Sequence, residues 1–286
     1  MLLEKPRYIN TGGKLLDLNI PRVMGILNIT PDSFFKGSRY RTDKEILKAA
    51  TQMLEDGADI LDIGGYSSRP GAEDISVKEE GDRVLKAIKL VRKNLPDAII
   101  SVDTFRADIA SEAIIEFGAN MINDISGGDG DNNMFSVVSK LNVPYIIMHM
   151  KGDPGNMQDN PTYSDVIAEV IYFFEKQVAV ARSTGIQGII IDPGFGFGKT
   201  VEHNYRLLSG LETLQFLEVP VMVGISRKSM ICKVLGTGPE NALTGTSVLQ
   251  TIALMKGALL LRTHDVKEAV EAVKLVETLK KHSHEQ

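Results

Sequence analysis

The chain has one cysteine and no tryptophan among its 286 residues. The lone thiol, Cys232, excludes an intramolecular disulfide and any metal centre built from several cysteines. It fits a reducing compartment. Positive charge is not in excess: 32 Lys and Arg stand against 37 Asp and Glu, a formal net charge of −5. A protein that coats nucleic acid needs a basic face to neutralise many phosphates, so that class is set aside, while one small phosphate pocket is not. No apolar run approaches the roughly 20 residues of a membrane-spanning helix. The opening Met1-Leu-Leu-Glu-Lys-Pro-Arg7 carries charge too early for a secretory leader. These absences predict a soluble, cytoplasmic protein with neither a membrane nor a nucleic-acid partner.

What is present describes a full core, with 43% apolar and 24% charged residues. Eight short apolar runs read as parallel strands buried on both faces: Val23–Asn28, Asp59–Gly64, Ile99–Thr104, Met121–Ile125, Pro144–His149, Gly188–Asp192, Val221–Ser226 and Ala258–Thr263. Helical stripes separate them. Ile46, Ala49, Ala50, Met53 and Leu54 form the first stripe, and Val266, Ala269, Val270 and Val273 the last. Further helices are predicted near 77–94, 106–117, 134–141, 165–183, 201–216 and 241–256. Gly57, Gly118, Gly185 and Gly257 stand where left-handed helix caps are wanted. With no linker or composition break, the pattern predicts a single (β/α)8 TIM barrel over 1–286. It leaves an N-terminal extension of about 20 residues and a polar tail, 282–286. A doubly wound open sheet is the alternative, but no edge strand or switch point is visible.

The strands end in polar groups: Asn28, Asp62, Asp103, Asn123-Asp124, His149, Asp192, Ser226-Arg-Lys228 and Arg262-Thr-His-Asp265. In a barrel these all lie at the carboxyl rim, where the active sites of this fold are built. Packing alone does not explain eight such endings, because a buried polar group without a partner costs about 1–3 kcal/mol. Asp103, Asn123, Asp192 and Lys228 offer carboxylates, an amide and an ammonium. That set suits a flat heterocycle with alternating donors and acceptors, such as an aminopyrimidinone. Taken singly, each aspartate reads equally well as a helix cap or turn residue. Ile125, Met148 and Phe197 supply apolar walls or plain core. Arg69, Arg262, His264 and Arg227 form a cationic sector suited to phosphate, against which stands the common surface salt bridge.

The run Gly194-Phe-Gly-Phe-Gly-Lys-Thr200 is not a nucleotide loop. A Walker A motif needs glycine where Pro193 stands, and the dinucleotide fingerprint needs glycine where Lys199 stands. It reads as a tight strand-to-helix turn. His203 and Cys232 read as structural, and no cluster has zinc-ligand spacing.

Seven segments in order resemble the dihydropteroate synthase family across Val23 to Val266. They are Gly25–Phe34, Asp62-Ile-Gly-Gly65 with Ser68-Arg-Pro-Gly71, Ser101-Val-Asp-Thr104, Ile122-Asn-Asp-Ile125, Asp192–Lys199, Gly224–Ser229 and Arg262-Thr-His-Asp265. The resemblance implies condensation of 6-hydroxymethyl-7,8-dihydropterin diphosphate with 4-aminobenzoate to 7,8-dihydropteroate and pyrophosphate, in folate biosynthesis. It assigns the pterin diphosphate to Ser68, Arg69, Asp103, Asn123, Asp192, Phe197, Lys228, Arg262, Thr263 and His264. It assigns 4-aminobenzoate to Phe34, Pro70, Arg227 and Ser229, and Mg2+ to the Asn28 side-chain oxygen. Asp103, Lys228 and Arg262 are the implied catalytic set, in a dissociative mechanism. The loops Thr30–Arg41 and Tyr66–Asp74 would close over the site. A homodimer and sulfonamide targeting also follow from the resemblance. Lys36 and Tyr66 depart from the family, which usually has Asp and Glu there, and Ser68 replaces its usual Thr. Three alternatives are a pterin-binding methyltransferase barrel, a Schiff-base aldolase using Lys228, and a binding protein without turnover.

Overall fold

The computed structural model of the protein describes residues 8–29, 42–67, 74–152, 157 and 160–283. The predicted extension contains an antiparallel hairpin, β1 Tyr8–Asn10 and β2 Leu15–Asp17. Parallel strands and helices then alternate: β3 Arg22–Asn28, α1 Asp43–Glu55, β4 Ile60–Gly64, α2 Val77–Asn94, β5 Ile99–Asp103, α3 Ala107–Ile115, β6 Met121–Asp124 and α4 Met134–Leu141. They continue as β7 Tyr145–Met148, α5 Val166–Ser183, β8 Ile189–Asp192, α6 Val201–Ser209, β9 Met222–Val223, α7 Ser229–Leu235, α8 Leu243–Met255, β10 Leu260–Thr263 and α9 Val266–Ser283.

The sheet runs β8-β7-β6-β5-β4-β3-β10-β9, all parallel. A bridge between Ile191 and Val221 joins its ends, with the Ile191 N–H donating to the Pro220 carbonyl at 3.0 Å. The chain therefore folds as the predicted (β/α)8 barrel.

Side-chain alternation along each strand explains where the site forms. Outward residues such as Leu27, Leu61, Val102, Ile147 and Val223 pack under the helices. Inward, Met24, Ile60, Met121, Ile146, Ile190, Met222 and Leu260 make an apolar floor, closed from below by Ile9, Leu16 and Leu18. Two residues up each strand the side chain faces inward again. There the residues are Ile26, Asp62, Ser101, Asn123, Met148, Asp192, Gly224 and Arg262. The floor is wholly apolar and the next layer mostly polar, so the chemistry is confined to the carboxyl end.

Side chains cap the starts of α1, α2, α5 and α6. Thr42 and Glu45 form a capping box on α1, with Glu45 N–H to Thr42 Oγ1 at 3.2 Å and Thr42 N–H to Glu45 Oε2 at 3.0 Å. Gly57 leaves α1 at φ +100°, where any side chain would be strained. The helix predicted over 201–216 is two pieces. α6 stops at Ser209, and a 3₁₀ helix, Leu211–Leu217, follows Gly210. A Cβ at Gly210 would strike the Ile167 side chain on α5, so close packing of the two helices fixes the break.

Candidate active site

The polar layer opens into a cavity at the carboxyl end of the barrel. Asp103, Asn123, Asp192, Lys228, Arg262, His264, Asn28 and Arg227 line it, with apolar walls from Ile125, Met148 and Phe197. Most of the predicted strand ends are thus brought together, but Asp124 and His149 turn away from the cavity, Asp124 to accept from the Tyr145 hydroxyl and His149 to meet Lys199. Phe34, Lys36, Ser68, Arg69 and Pro70 lie outside the described residues, as do 30–41 and 68–73 of the two rim loops.

Arg262 ties three strands across the barrel. Its Nε donates to Asp62 Oδ2 at 2.6 Å and its Nη2 to Asp103 Oδ2 at 2.6 Å. Asn123 Nδ2 donates to the same Asp62 oxygen at 3.0 Å, while Asp62 Oδ1 is buried without a partner. Asp62, placed at the rim by the strand-end pattern but assigned no ligand there, is the organising residue of the layer. Burial works against the Arg262 charge, but Asp62 and Asp103 more than compensate and raise its pKa.

Burial pushes the Asp103 carboxyl up to about 7, with Asp62 and Glu80 adding to the rise and Arg262 opposing it. Burial likewise raises Asp192, against Lys228 and the Gly194 N–H, which donates to Asp192 Oδ1 at 2.8 Å. Lys228 donates to the Phe195 carbonyl and sits 4.5 Å from the centre of the Phe197 ring. Burial brings its pKa down to about 8, with Asp192 opposing and Arg262 assisting. That shift runs in the direction a Schiff-base nucleophile also needs, so Lys228 by itself leaves the aldolase alternative standing.

The cationic sector needs correction in charge rather than in place. His264 is neutral, its pKa lowered to about 3 by burial and by Arg262, Arg227 and Lys228. Its Nδ1 lies 3.1 Å from Ser226 Oγ. Arg227 sits at φ +55°, and its guanidinium holds Asp265 through Nε at 2.9 Å and Nη2 at 2.7 Å. Its Nη1 donates to the Pro239 carbonyl at 2.7 Å. Two predicted residues do not line the cavity. Thr263 points outward between Arg262 and His264 and accepts from the Asp265 N–H at 3.1 Å. Ser229 starts α7 on the surface.

The glycine-rich run is the tight turn expected. A Cβ at Gly194, φ +66°, would overlap the His149 carbonyl oxygen. Lys199 is buried inside the turn, its Nζ 2.8 Å from His149 Nδ1 and 3.0 Å from both the Gly194 and Phe197 carbonyls. That lysine knits the turn together and is not turned toward a phosphate. His203 caps α6 by accepting from the Thr200 N–H at 3.3 Å, a structural role as expected.

The family model for pterin binding enzymes matches residues 24–264. Dihydropteroate synthase of Escherichia coli K12 is 42% identical over 267 residues, covering 93% of this chain and 94% of that protein. The chain belongs to the dihydropteroate synthase family. The Haemophilus influenzae dihydropteroate synthase is also 42% identical, over 92% of this chain and 95% of that protein. Among solved structures, the Yersinia pestis dihydropteroate synthase in a sulfonamide drug complex superposes with a TM-score of 0.92 at 40% identity, covering 96% of this chain and all of that one. The Xanthomonas albilineans dihydropteroate synthase with 4-aminobenzoic acid gives 0.88 at 39% identity, covering 96% of this chain and 99% of that one. This chain is accordingly a dihydropteroate synthase-type transferase of folate biosynthesis, which sets aside the methyltransferase, the aldolase and the silent binder.

Proposed function

We propose that the rim residues divide the condensation among themselves as follows. Asp103, Asn123, Asp192 and Lys228 hold the pterin ring of 6-hydroxymethyl-7,8-dihydropterin diphosphate between Met148, Ile125 and Phe197. Arg262 offers its remaining Nη1 edge to the diphosphate, and neutral His264 offers an N–H. Ser68 and Arg69 would join them. The C–O bond at the pterin methylene breaks first, and the diphosphate leaves with the electron pair. Asp103, as carboxylate, stabilises the resulting cation. The nitrogen lone pair of 4-aminobenzoate then forms the C–N bond, and that nitrogen loses one proton. Phe34, Pro70, Arg227 and Ser229 are assigned to the aminobenzoate side by family resemblance alone.

Mg2+ is part of this proposal. Asn28 lines the cavity with an amide oxygen, a hard donor. No group of three or more His, Cys, Asp or Glu suited to a metal occurs among the described residues. One amide oxygen fits a cation that keeps its waters and leans on phosphate oxygens, and does not fit a caged metal. When bound, the ion supplies neutralisation of the departing diphosphate.

The observation that supports this reading is the polar layer itself: Asp62, Asn123, Asp192 and Arg262 on one level, Asp103 beside them, apolar walls around. The test is pyrophosphate release on mixing the protein with dihydropterin diphosphate, Mg2+ and 4-aminobenzoate, the amine omitted as control. Amine-dependent release with stoichiometric dihydropteroate is expected. Tight pterin binding without release would overturn it.

The chain is further proposed to act as one domain, in the cytoplasm, as a homodimer, and to bind sulfonamides as the Yersinia pestis protein does. No helix among the described residues is long and apolar enough to cross a membrane. Exposed Val234 and Leu235 on α7 and Val248, Ile252 and Met255 on α8 supply the apolar face for a second copy. A monomeric mass in sedimentation at micromolar concentration would refute the dimer.

A further inference from the structure

One cluster at the cavity mouth has no part in the chemistry derived so far. Tyr66, two residues beyond β4, lines the cavity and is half-buried. Its ring meets Phe105 edge-on, with centroids 5.0 Å apart at 87°. The Arg106 guanidinium lies over both rings, 5.3 Å from the Phe105 centroid and 5.8 Å from that of Tyr66. The same guanidinium donates to the Ile75 carbonyl at 2.6 Å and faces the Asp74 carboxylate at 3.6 Å. On its other side stands Glu80, fully buried, at 3.3 Å. Glu80 in turn accepts from the Thr104 hydroxyl at 2.6 Å. Burial, and after it the negative charge of Asp74, raise the Tyr66 pKa.

Each contact has a reason to persist. Glu80 has no exposed surface, so removing its cationic neighbour Arg106 would leave the Glu80 carboxylate without that compensation. Arg106 is thereby fixed at the start of α3, immediately after Asp103, Thr104 and Phe105. Tyr66 and Asp74-Ile75, the two approaches to the second rim loop, both close on that fixed point. The cluster joins the end of β4 to the end of β5 where the cavity opens. The pterin-holding groups Asn123 and Asp192 lie deeper, each under 5% exposed. With the pterin held at that depth as proposed, the amine would approach its methylene through the mouth.

We propose that Tyr66 is a positioning residue for capture of the amine: packed edge-on against Phe105 and under the Arg106 guanidinium, it sets the cavity mouth so that 4-aminobenzoate, and not water, meets the pterin methylene. It touches no reacting atom in this role. The proposal rests on the dihydropteroate synthase activity above, so wild-type turnover is measured alongside every variant. An inactive wild type would refute that activity, and with it this role.

The experiment compares Tyr66→Ala, Tyr66→Phe and Arg106→Lys by steady-state kinetics, with pterin diphosphate affinity from titration calorimetry. Tyr66→Ala should raise KM for 4-aminobenzoate about tenfold, the scale of one aromatic pair with its cation–π contact. It should leave pterin diphosphate affinity within about twofold and raise the share of pyrophosphate released without amine capture. Tyr66→Phe, which keeps the ring, should restore KM to within about threefold of wild type. Arg106→Lys should follow Tyr66→Ala, since a lysine has no planar fork to stack. An unchanged amine KM in Tyr66→Ala would overturn the proposal. So would equal losses for both substrates together with a lowered Tm, which would mean general loosening.

Discussion

Replacing Arg262 by alanine removes the one cation held by both Asp62 and Asp103. Two consequences separate cleanly. The first is in binding: loss of a charge-assisted hydrogen bond to the diphosphate should weaken pyrophosphate binding by about 1.5–3 kcal/mol, or roughly 10- to 150-fold in Kd. The second is in stability. Breaking a buried ion pair from one side costs about 3–5 kcal/mol, because the remaining carboxylates stay in the interior. Asp62 is fully buried and already has one oxygen without a partner.

The stability loss should also depend on pH, with a sign the geometry fixes. Asp103 in the wild type has its pKa at about 7, and Arg262 is the influence holding it down. Without Arg262 that pKa rises further. Well below 7, Asp103 is protonated in both proteins and contributes nothing to their difference. As pH rises through 7, the wild type ionises against a cation and the variant against none, so the deficit grows. Urea unfolding from pH 5 to pH 8 measures it, with pyrophosphate calorimetry beside it. A deficit that is flat across that range, or equal pyrophosphate affinity, would refute the reasoning.

Other outcomes follow from the same geometry. The kcat/KM profile should be a narrow bell: Asp103 must be a carboxylate, giving an acid limb near 7, and Lys228 must be an ammonium, giving an alkaline limb near 8. Asp103→Asn should abolish the acid limb and lower kcat by about 10²-fold or more; an unchanged kcat would remove Asp103 from the chemistry. Lys199→Met should cost about 3 kcal/mol in urea unfolding, since the Gly194 and Phe197 carbonyls and His149 Nδ1 lose their donor at once. Wild-type stability in that variant would show that the turn is held by its backbone alone.

Much of this was legible in the sequence for a physical reason. A parallel strand covered on both faces reads as an unbroken apolar run, so Asp103, Asn123 and Asp192 stand out as interruptions at its carboxyl end. The barrel turns that one-dimensional signal into a ring of side chains on one rim. The hairpin β1–β2 was not legible, because three-residue strands carry too few alternations to register. Nor was α7, whose seven residues directly follow the Ser226-Arg-Lys228 rim.

Charge states were the least legible, because each depends on a partner distant in the chain. Arg262 meets Asp62 across 200 residues and Asp103 across 159. From the sequence alone, Arg262, His264 and Arg227 add up to a positive patch. Folded, Arg262 is matched by two carboxylates, Arg227 by Asp265, and His264 is neutral. An unmatched cluster of cations in the interior would repel itself before any substrate arrived. The aspartates therefore keep Arg262 charged and oriented while leaving its Nη1 edge for a ligand. If Arg262 holds the diphosphate as proposed, that ligand would meet a guanidinium already aimed, with part of the ordering that binding requires complete before it arrives.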